Sequence, residues 1–198
     1  MMKIYGDKRS GNCYKIQLTC ALLDLDYEWI DVDILAGEAG TDEFRKMNPN
    51  GKIPLLALDD RYLSESNAII NFLAHGSPLL PDEPFLLAKV QQWQFFEQYS
   101  HEPYIAVARF IEKYLGLPDD RKAEYLSRQN GGYRALSIME QQLSDTAFIT
   151  GASFTTADIA LYAYTHVAHE GGFSLDRFPA IQQWLTRVTE QPGYRAMG

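Results

Sequence analysis

The chain has 198 residues and a mass of 22.5 kDa, which corresponds to one large domain or two small ones. Hydrophobic residues make up 46% and charged residues 22%, as in ordinary globular proteins that bury an apolar core. The formal net charge is −8, and this acidic balance argues against nucleic acid and anionic membrane surfaces as partners. No apolar run reaches the roughly 18 residues of a membrane helix, so we expect no membrane span.

The first 75 residues alternate between strand and helix patterns. The predicted elements, in chain order, are a strand at 3–5, a helix at 13–23, a strand at 27–34, a short helix at 41–47, a β-hairpin at 54–63 and a helix at 66–74. This β-α-β-α-β-β-α order predicts a small α/β domain over residues 1–75.

The remaining residues predict a linker and then helices. Residues 76–86 contain one glycine and three prolines, which is typical of a linker. The predicted helices cover 85–114, with a kink at Pro103, and then 119–143, 155–169 and 179–189. An all-α bundle is therefore expected over residues 87–198.

His101 lies beside Glu102, and we expect it at the surface.

The two cysteines, Cys13 and Cys20, fall within one predicted helix. Seven residues along a helix separate their Cα atoms by about 10 Å, whereas a disulfide allows roughly 7 Å. We therefore expect two reduced thiols, as in a cytoplasmic protein. Two cysteines with no neighbouring histidine cluster do not form a zinc site, and the sequence predicts no bound metal.

The segment Ser10-Gly11-Asn12-Cys13 follows the first strand and opens the first helix. A helix N-terminus carries partial positive charge that stabilises a thiolate, and a thioredoxin-like fold places a Cys-x-x-Cys pair there. Here the first position is Ser10, whose hydroxyl can donate a hydrogen bond to a ligand thiolate and lower the pKa of that thiol. The alternative is that Ser10 only caps the helix.

The segment 48–56 reads Asn-Pro-Asn-Gly-Lys-Ile-Pro-Leu-Leu. Pro54 begins a strand directly after a turn, which suggests a cis Ile53–Pro54 bond. The N–H and C=O of Ile53 then face outward and can pair with an extended peptide ligand, while Lys52 can bind a ligand carboxylate. The alternative is an edge-strand proline beside a solvated lysine.

Glu65-Ser66-Asn67 opens the third helix. The Ser66 oxygen and the free N–H groups of a first helical turn suit a carboxylate, and Glu65 suits an ammonium group. Together they would bind an α-amino acid head group. The alternative is a simple helix cap.

By contrast, Thr155 and Asp158 form a capping box, with Phe154 and Ile159 as its hydrophobic staple, so Asp158 is predicted to be structural.

A further set of residues follows Pro103 and mixes apolar, aromatic and cationic groups: Tyr104, Val107, Ala108, Arg109 and Phe110. Tyr104, Val107, Arg109 and Phe110 are candidates for lining an apolar pocket. They are equally compatible with an ordinary helix core.

The three sites fall at strand and helix ends that meet at one edge of a thioredoxin-like sheet. A ligand with a thiol, a peptide backbone and a free amino-acid end is glutathione. The whole chain resembles a cytosolic glutathione transferase. The resemblance rests on these three motifs and on Thr155-Thr156-Ala157-Asp158. The resemblance implies a thioredoxin-like N-terminal domain, a helical C-terminal domain and a cytoplasmic homodimer.

The resemblance also implies roles for individual residues. Ser10 would activate the thiol, as in the serine-using theta, delta and zeta-like groups. Ile53, held before a cis Pro54, would pair with the cysteinyl unit, and Lys52 would lie near the glycyl carboxylate. Glu65 and Ser66 would bind the γ-glutamyl end. Asn67 departs from the pattern, because several serine-type members have Arg there.

The implied reaction is attack of the glutathione thiolate, as cosubstrate, on a small hydrophobic electrophile or a peroxide, with a role in detoxification. Cys13 is a second candidate thiol, since members with a cysteine in the site form mixed disulfides with glutathione. Two alternatives stay open. One is a non-catalytic glutathione-binding or protein-interaction module on the same fold. The other is a zeta-like isomerase, for which Arg9 or Arg109 would supply a cationic pocket.

Overall fold

A computed structural model describes all 198 residues, which form two compact units. The first unit comprises residues 1–75 and 191–198, and the second comprises residues 76–190. The predicted helical domain includes residues 191–198, whereas in the structure these residues belong to the first unit. The hydroxyl of Tyr14 donates to the carbonyl of Arg195 at 2.7 Å, and Gly193 lies against the backbone of Ala21 and Leu22.

The first unit has four strands and three α-helices in the predicted β-α-β-α-β-β-α order. The strands are β1 (Met2–Gly6), β2 (Glu28–Asp31), β3 (Leu55–Leu58) and β4 (Arg61–Ser64). The helices are α1 (Gly11–Leu22), α2 (Asp42–Met47) and α3 (Ser66–Ala74). The strands form one mixed sheet of order β2-β1-β3-β4, which confirms the thioredoxin-like fold.

The register of this sheet fixes which strand ends are neighbours. β1 is parallel to β2 and antiparallel to β3, and β3 is antiparallel to β4. Tyr5 near the end of β1 pairs with Leu55 at the start of β3, and Leu55 pairs with Ser64 at the end of β4. The segments that follow β1, precede β3 and follow β4 therefore meet at one end of the sheet.

Helix α1 packs its thiol-bearing side against the sheet. Cys13 and Cys20 are free thiols that are almost entirely buried. A Cβ atom added to Gly6 of β1 would lie 2.8 Å from the Sγ of Cys13, so this thiol fills the space that glycine leaves. Burial raises the pKa of both thiols to about 12. Cys13 therefore faces the sheet as part of the core.

The second unit contains five α-helices: α4 (Pro84–Phe96), α5 (Glu102–Arg109), α6 (Lys122–Asp145), α7 (Thr156–Thr165) and α8 (Pro179–Thr189). Helix α4 begins inside the segment predicted as a linker, with Pro84 in its first turn. π-helical turns span Glu97–His101 and Phe110–Tyr114. The first of them precedes Pro103, whose missing N–H interrupts regular α-helical hydrogen bonding. No helix combines the length and apolar character that crossing a bilayer requires.

The expectation that His101 lies at the surface is wrong. His101 is fully buried, and its Nε2 lies 2.9 Å from the Oγ1 of Thr165 on α7. Gln94 and Glu97 are buried as well, and the Nε2 of Gln94 donates to the Oγ1 of Thr156 at 3.2 Å. Spacings of three and four residues place all three side chains on one helical face. This polar seam faces the core.

The capping box at the start of α7 is confirmed. Thr155 is the N-cap, and the Oδ2 of Asp158 accepts the Thr155 N–H at 2.9 Å. The Oδ1 of Asp158 accepts the N–H of Ile149 at 2.8 Å and the Nε1–H of Trp184 at 2.9 Å. Burial raises the pKa of Asp158 to about 6, although these hydrogen bonds oppose the rise. Asp158 thus joins three segments of the second unit.

We expect Asp158→Ala to lower the free energy of unfolding by about 3 kcal/mol or more, because it leaves several buried donors without an acceptor. Denaturant unfolding followed by circular dichroism measures this loss. The exposed Asp176 provides the control, since Asp176→Ala should change stability by about 0.5 kcal/mol or less. Equal stability of the two variants would contradict the structural role of Asp158.

We also expect neither cysteine of the folded protein to react with a thiol reagent at mildly alkaline pH, because both thiols are buried and protonated. The unfolded chain should label at both positions under the same conditions. Cys13→Ala and Cys20→Ala identify the source of any signal. Rapid labelling of Cys13 in the native state would restore it as a candidate site thiol.

Candidate functional site

Ser10 is placed where the sequence predicts, directly before α1. Its backbone is extended (φ −83°, ψ 123°), its N–H donates to the Asp7 carbonyl at 3.0 Å, and its Oγ accepts the N–H of Cys13 at 3.4 Å. Ser10 is therefore the N-cap of α1. A hydroxyl that accepts such a bond keeps its own O–H for donation, so capping and donation to a ligand thiolate are compatible.

The loop before Ser10 is held by a network of charged groups. The Nη2 of Arg9 lies 2.6 Å from an oxygen of Asp7 and 2.6 Å from an oxygen of Asp33. The Nε of Arg9 also donates to Asp7 at 2.8 Å, and the N–H of Ile34 donates to Asp7 at 3.3 Å. Burial by itself would raise the pKa of Asp7, but the hydrogen bonds from Arg9 and Ile34 outweigh it and lower that pKa.

The same two carboxylates raise the pKa of Arg9 through their hydrogen bonds. The Arg9 charge is thus shared between Asp7 and Asp33. This pairing fixes the β1–α1 loop and gives Arg9 a structural function. It provides no support for Arg9 as a cation that binds a diacid substrate.

The segment before β3 has the predicted backbone. The Ile53–Pro54 peptide bond is cis. The Nδ2 of Asn48, a buried residue, donates to the carbonyl of Lys52 at 2.6 Å and so holds the turn against the strand. Pro54 is buried, Ile53 is partly buried and Lys52 is exposed. The backbone of Ile53 thus lies at the end of the sheet, beside the end of β1.

Glu65 and Ser66 lie at the junction of β4 and α3. Glu65 has a positive φ of 69° with ψ of 110°, a strained conformation for a residue with a side chain. Its side chain is exposed, whereas Ser66 is 4% exposed and begins α3. Strain of this kind persists where the surrounding structure enforces it, often at ligand sites. Glu65 is thus an exposed residue directly before the first turn of α3.

The structure adds one residue that the sequence analysis missed. Lys15 of α1 is fully buried, with its Nζ 3.2 Å from the Oγ of Ser66 and 3.4 Å from the Oδ1 of Asn67. The Oγ of Ser66 also lies 3.1 Å from the Oδ1 of Asn12. Polar contacts therefore tie the first turns of α1 and α3 together. The available signal was that Lys15 is the one charged residue of α1.

The candidates for an electrophile pocket lie in the second unit, on α5 and at its end. Arg109 is buried, and its Nε lies 2.6 Å from the Oε2 of Glu170. The ring of Tyr104 occupies the space beside Gly131 of α6, and Val107 and Phe110 are half-buried. The ion pair gives Arg109 a partner within its own unit. The assignment of these four residues to a pocket stays a prediction.

Two cavities lie near the end of the sheet. One, of about 260 Å³, adjoins the β1–α1 loop and is lined by Gly6, Asp7, Lys8, Arg9 and residues 31–33. A larger groove of about 600 Å³ lies between β2 and α2, and its lining includes Tyr5 and Phe44. Neither lining includes Ser10, Ile53 or Glu65. No group of three or more His, Cys, Asp or Glu side chains is arranged to hold a metal ion.

Known proteins show the same organisation. Residues 4–81 match the family model of the glutathione S-transferase N-terminal domain, and residues 93–192 match that of the C-terminal domain. A solved glutathione S-transferase from Pseudomonas fluorescens is 60% identical, with a TM-score of 0.97, over 99% of this chain and 98% of that one.

Two more distant relatives extend the comparison. The glutathione S-transferase GstB of Escherichia coli is 31% identical over 98% of this chain and 96% of its own length. A glutathione transferase from Phanerochaete chrysosporium, solved with oxidized glutathione, is 27% identical with a TM-score of 0.86 over 97% of this chain and 92% of that one. The matched domains cover most of the chain, and the resemblance seen in its motifs is confirmed: the chain belongs to the glutathione S-transferase family.

Proposed function

We infer that the protein is a glutathione transferase. The observation that carries this function is the meeting of Ser10, the cis Ile53–Pro54 segment and the Glu65–Ser66 junction at one end of the sheet. The relatives described above are all named as transferases, which favours an enzyme over a non-catalytic module. The relative from Phanerochaete chrysosporium was solved with oxidized glutathione, which supports the same ligand here.

The thiol of glutathione is proposed to lie against the N-terminus of α1. A helix of 12 residues presents unpaired N–H groups and partial positive charge at this end. The O–H of Ser10 donates to the thiolate there, which lowers the pKa of the thiol and keeps it ionised near neutral pH. Cys13 takes no part, because its own thiol packs against Gly6.

The rest of the tripeptide is proposed to lie along the end of the sheet. The backbone of Ile53 pairs with the cysteinyl unit as an additional strand. The exposed ammonium of Lys52 attracts the glycyl carboxylate. At the other end, the exposed Glu65 binds the γ-glutamyl ammonium, and the N–H groups that begin α3 bind the γ-glutamyl carboxylate.

The second substrate is proposed to be a small hydrophobic electrophile. The thiolate sulfur attacks an electrophilic carbon and forms a C–S bond while a leaving group departs with its electron pair. With a hydroperoxide, the thiolate sulfur attacks the terminal peroxide oxygen: an S–O bond forms, the O–O bond breaks, and the alkoxide leaves and takes up a proton. A second glutathione then reacts with the glutathione sulfenic acid to give the disulfide and water. Catalysis comes from the lowered thiol pKa and from holding both reactants together. Within the second unit, Tyr104, Val107 and Phe110 stay the proposed apolar contacts of this substrate, with Arg109 beside them.

A homodimer in the cytoplasm is also proposed. Each unit exposes aromatic side chains that a solitary subunit would leave in water: Tyr62 and Phe72 in the first, and Phe95 and Tyr99 in the second. Tyr62 and Phe72 line an apolar depression of about 220 Å³. Exposed apolar patches of this kind mark protein interfaces. The two reduced thiols suit a reducing compartment.

We expect Ser10→Ala to raise the pKa of the bound glutathione thiol by about one unit or more and to lower kcat at slightly acidic pH by about tenfold or more, because one hydrogen bond to the thiolate is lost. Ultraviolet absorbance of the thiolate measures this pKa. Ser10→Thr keeps the hydroxyl and should restore most of the effect. An unchanged pKa in Ser10→Ala with glutathione still bound would remove Ser10 from the mechanism.

We expect the mass in solution to be that of two chains, and Phe72→Asp to shift it toward one chain, because a buried unpaired carboxylate disfavours the interface. Light scattering after size-exclusion chromatography measures both masses. Leu126→Asp is the control, since Leu126 is also exposed but is none of the four aromatic residues of the proposed interface. A monomeric wild type, or equal dissociation by both variants, would contradict the proposed interface.

A further inference from the structure

The first unit contains a lysine whose burial needs an explanation. Lysine is almost never fully buried unless it is paired, because transfer of an ammonium group out of water is costly. Lys15 is 0% exposed, and its partners include the Oγ of Ser66, 3.2 Å from its Nζ, and the Oδ1 of Asn67, 3.4 Å from its Nζ. Both acceptors belong to the first turn of α3. The ammonium therefore lies directly behind that turn.

The directions of these hydrogen bonds are fixed by chemistry. An ammonium group can only donate, so the Oγ of Ser66 accepts from Lys15. The one proton of the Ser66 hydroxyl then points to the Oδ1 of Asn12, 3.1 Å away. Two hydrogen bonds in series thus connect Lys15 of α1 to Ser66 of α3 and Ser66 to Asn12 of α1. Because the hydroxyl of Ser66 already donates its proton to Asn12, it cannot also donate to an anion at the helix start. Backbone N–H groups and nearby positive charge must bind such an anion instead.

The charges around this helix start are arranged asymmetrically. Glu65 is exposed and carries a negative charge on the solvent side. Lys15 carries a positive charge on the buried side, and Asn67, which accepts a hydrogen bond from it, is neutral. An α-amino acid head group has one ammonium and one carboxylate, so its two charges match this pair. The positive charge of Lys15 would offset the repulsion between Glu65 and the carboxylate of the ligand.

We propose that Lys15 is a positioning residue whose buried ammonium selects the γ-glutamyl α-carboxylate of glutathione and holds Ser66 so that the backbone N–H groups at the start of α3 can bind that carboxylate. The proposal rests on the proposed function, since it assigns a determinant of specificity within the same site. Lys15 acts through Ser66 and through its electrostatic field. It does not contact the reacting sulfur.

The test compares two ligands and three proteins by calorimetry. The ligands are glutathione and γ-aminobutyryl-cysteinyl-glycine, which is the same tripeptide without that carboxylate. We expect Lys15→Met to weaken glutathione binding by about tenfold and to leave the affinity for the analogue within about twofold. Lys15→Arg keeps the positive charge and should bind glutathione within about threefold of the wild type. Equal weakening of both ligands by Lys15→Met, or no weakening of either, would overturn the proposal.

The wild-type protein supplies a measurement that does not depend on folding of the variants. If Lys15 selects the carboxylate, the wild type should prefer glutathione over the analogue by about tenfold or more. A preference below about threefold overturns the role of Lys15 while the proposed function stands. A wild type that binds neither ligand overturns the proposed function itself. The two failures are therefore distinguishable.

Discussion

The pairing of Tyr5 with Leu55 and of Leu55 with Ser64 is the constraint on which the site depends. These pairs align the end of one strand, the start of the next and the end of a third. Because each strand is only four or five residues long, no flanking segment can move far from this row. A shift of register by one residue would turn every side chain of that strand to the other face of the sheet and separate the segments.

Two polar networks then fix the segments that the register brings together. Asp7, Arg9 and Asp33 hold the loop before Ser10, and Lys15 connects the starts of α1 and α3 through Ser66. The first network is partly exposed, so each of its ion pairs contributes little on its own. The second is buried, where a polar group is costly unless it is hydrogen-bonded. The buried network is therefore the stricter determinant of local geometry.

Much of this organisation could be predicted from local patterns. The helices at 66–74 and 179–189 have the predicted ends, and the second begins with Pro179, a strong signal for a helix start. The capping box of Asp158 was readable for the same reason. Such signals act within one turn of the chain, and they need no knowledge of the tertiary structure.

Lys15, His101 and residues 191–198 were not predictable in this way. Lys15 and His101 have polar side chains that local patterns assign to the surface, yet each meets a partner more than 50 residues away along the chain. Residues 191–198 return to the first unit through a hydrogen bond between Arg195 and Tyr14, 181 positions apart. Burial of a polar group depends on such distant partners, which periodicity does not report.

We propose that three separate chain segments form one binding surface for glutathione. Titration of the ¹⁵N-labelled protein with glutathione, followed by amide chemical shifts, tests this claim most directly. The account predicts that the amides of Ser10, Ile53 and Ser66 shift together and saturate with a single Kd. Shifts confined to the groove between β2 and α2, or different Kd values at the three segments, would contradict it.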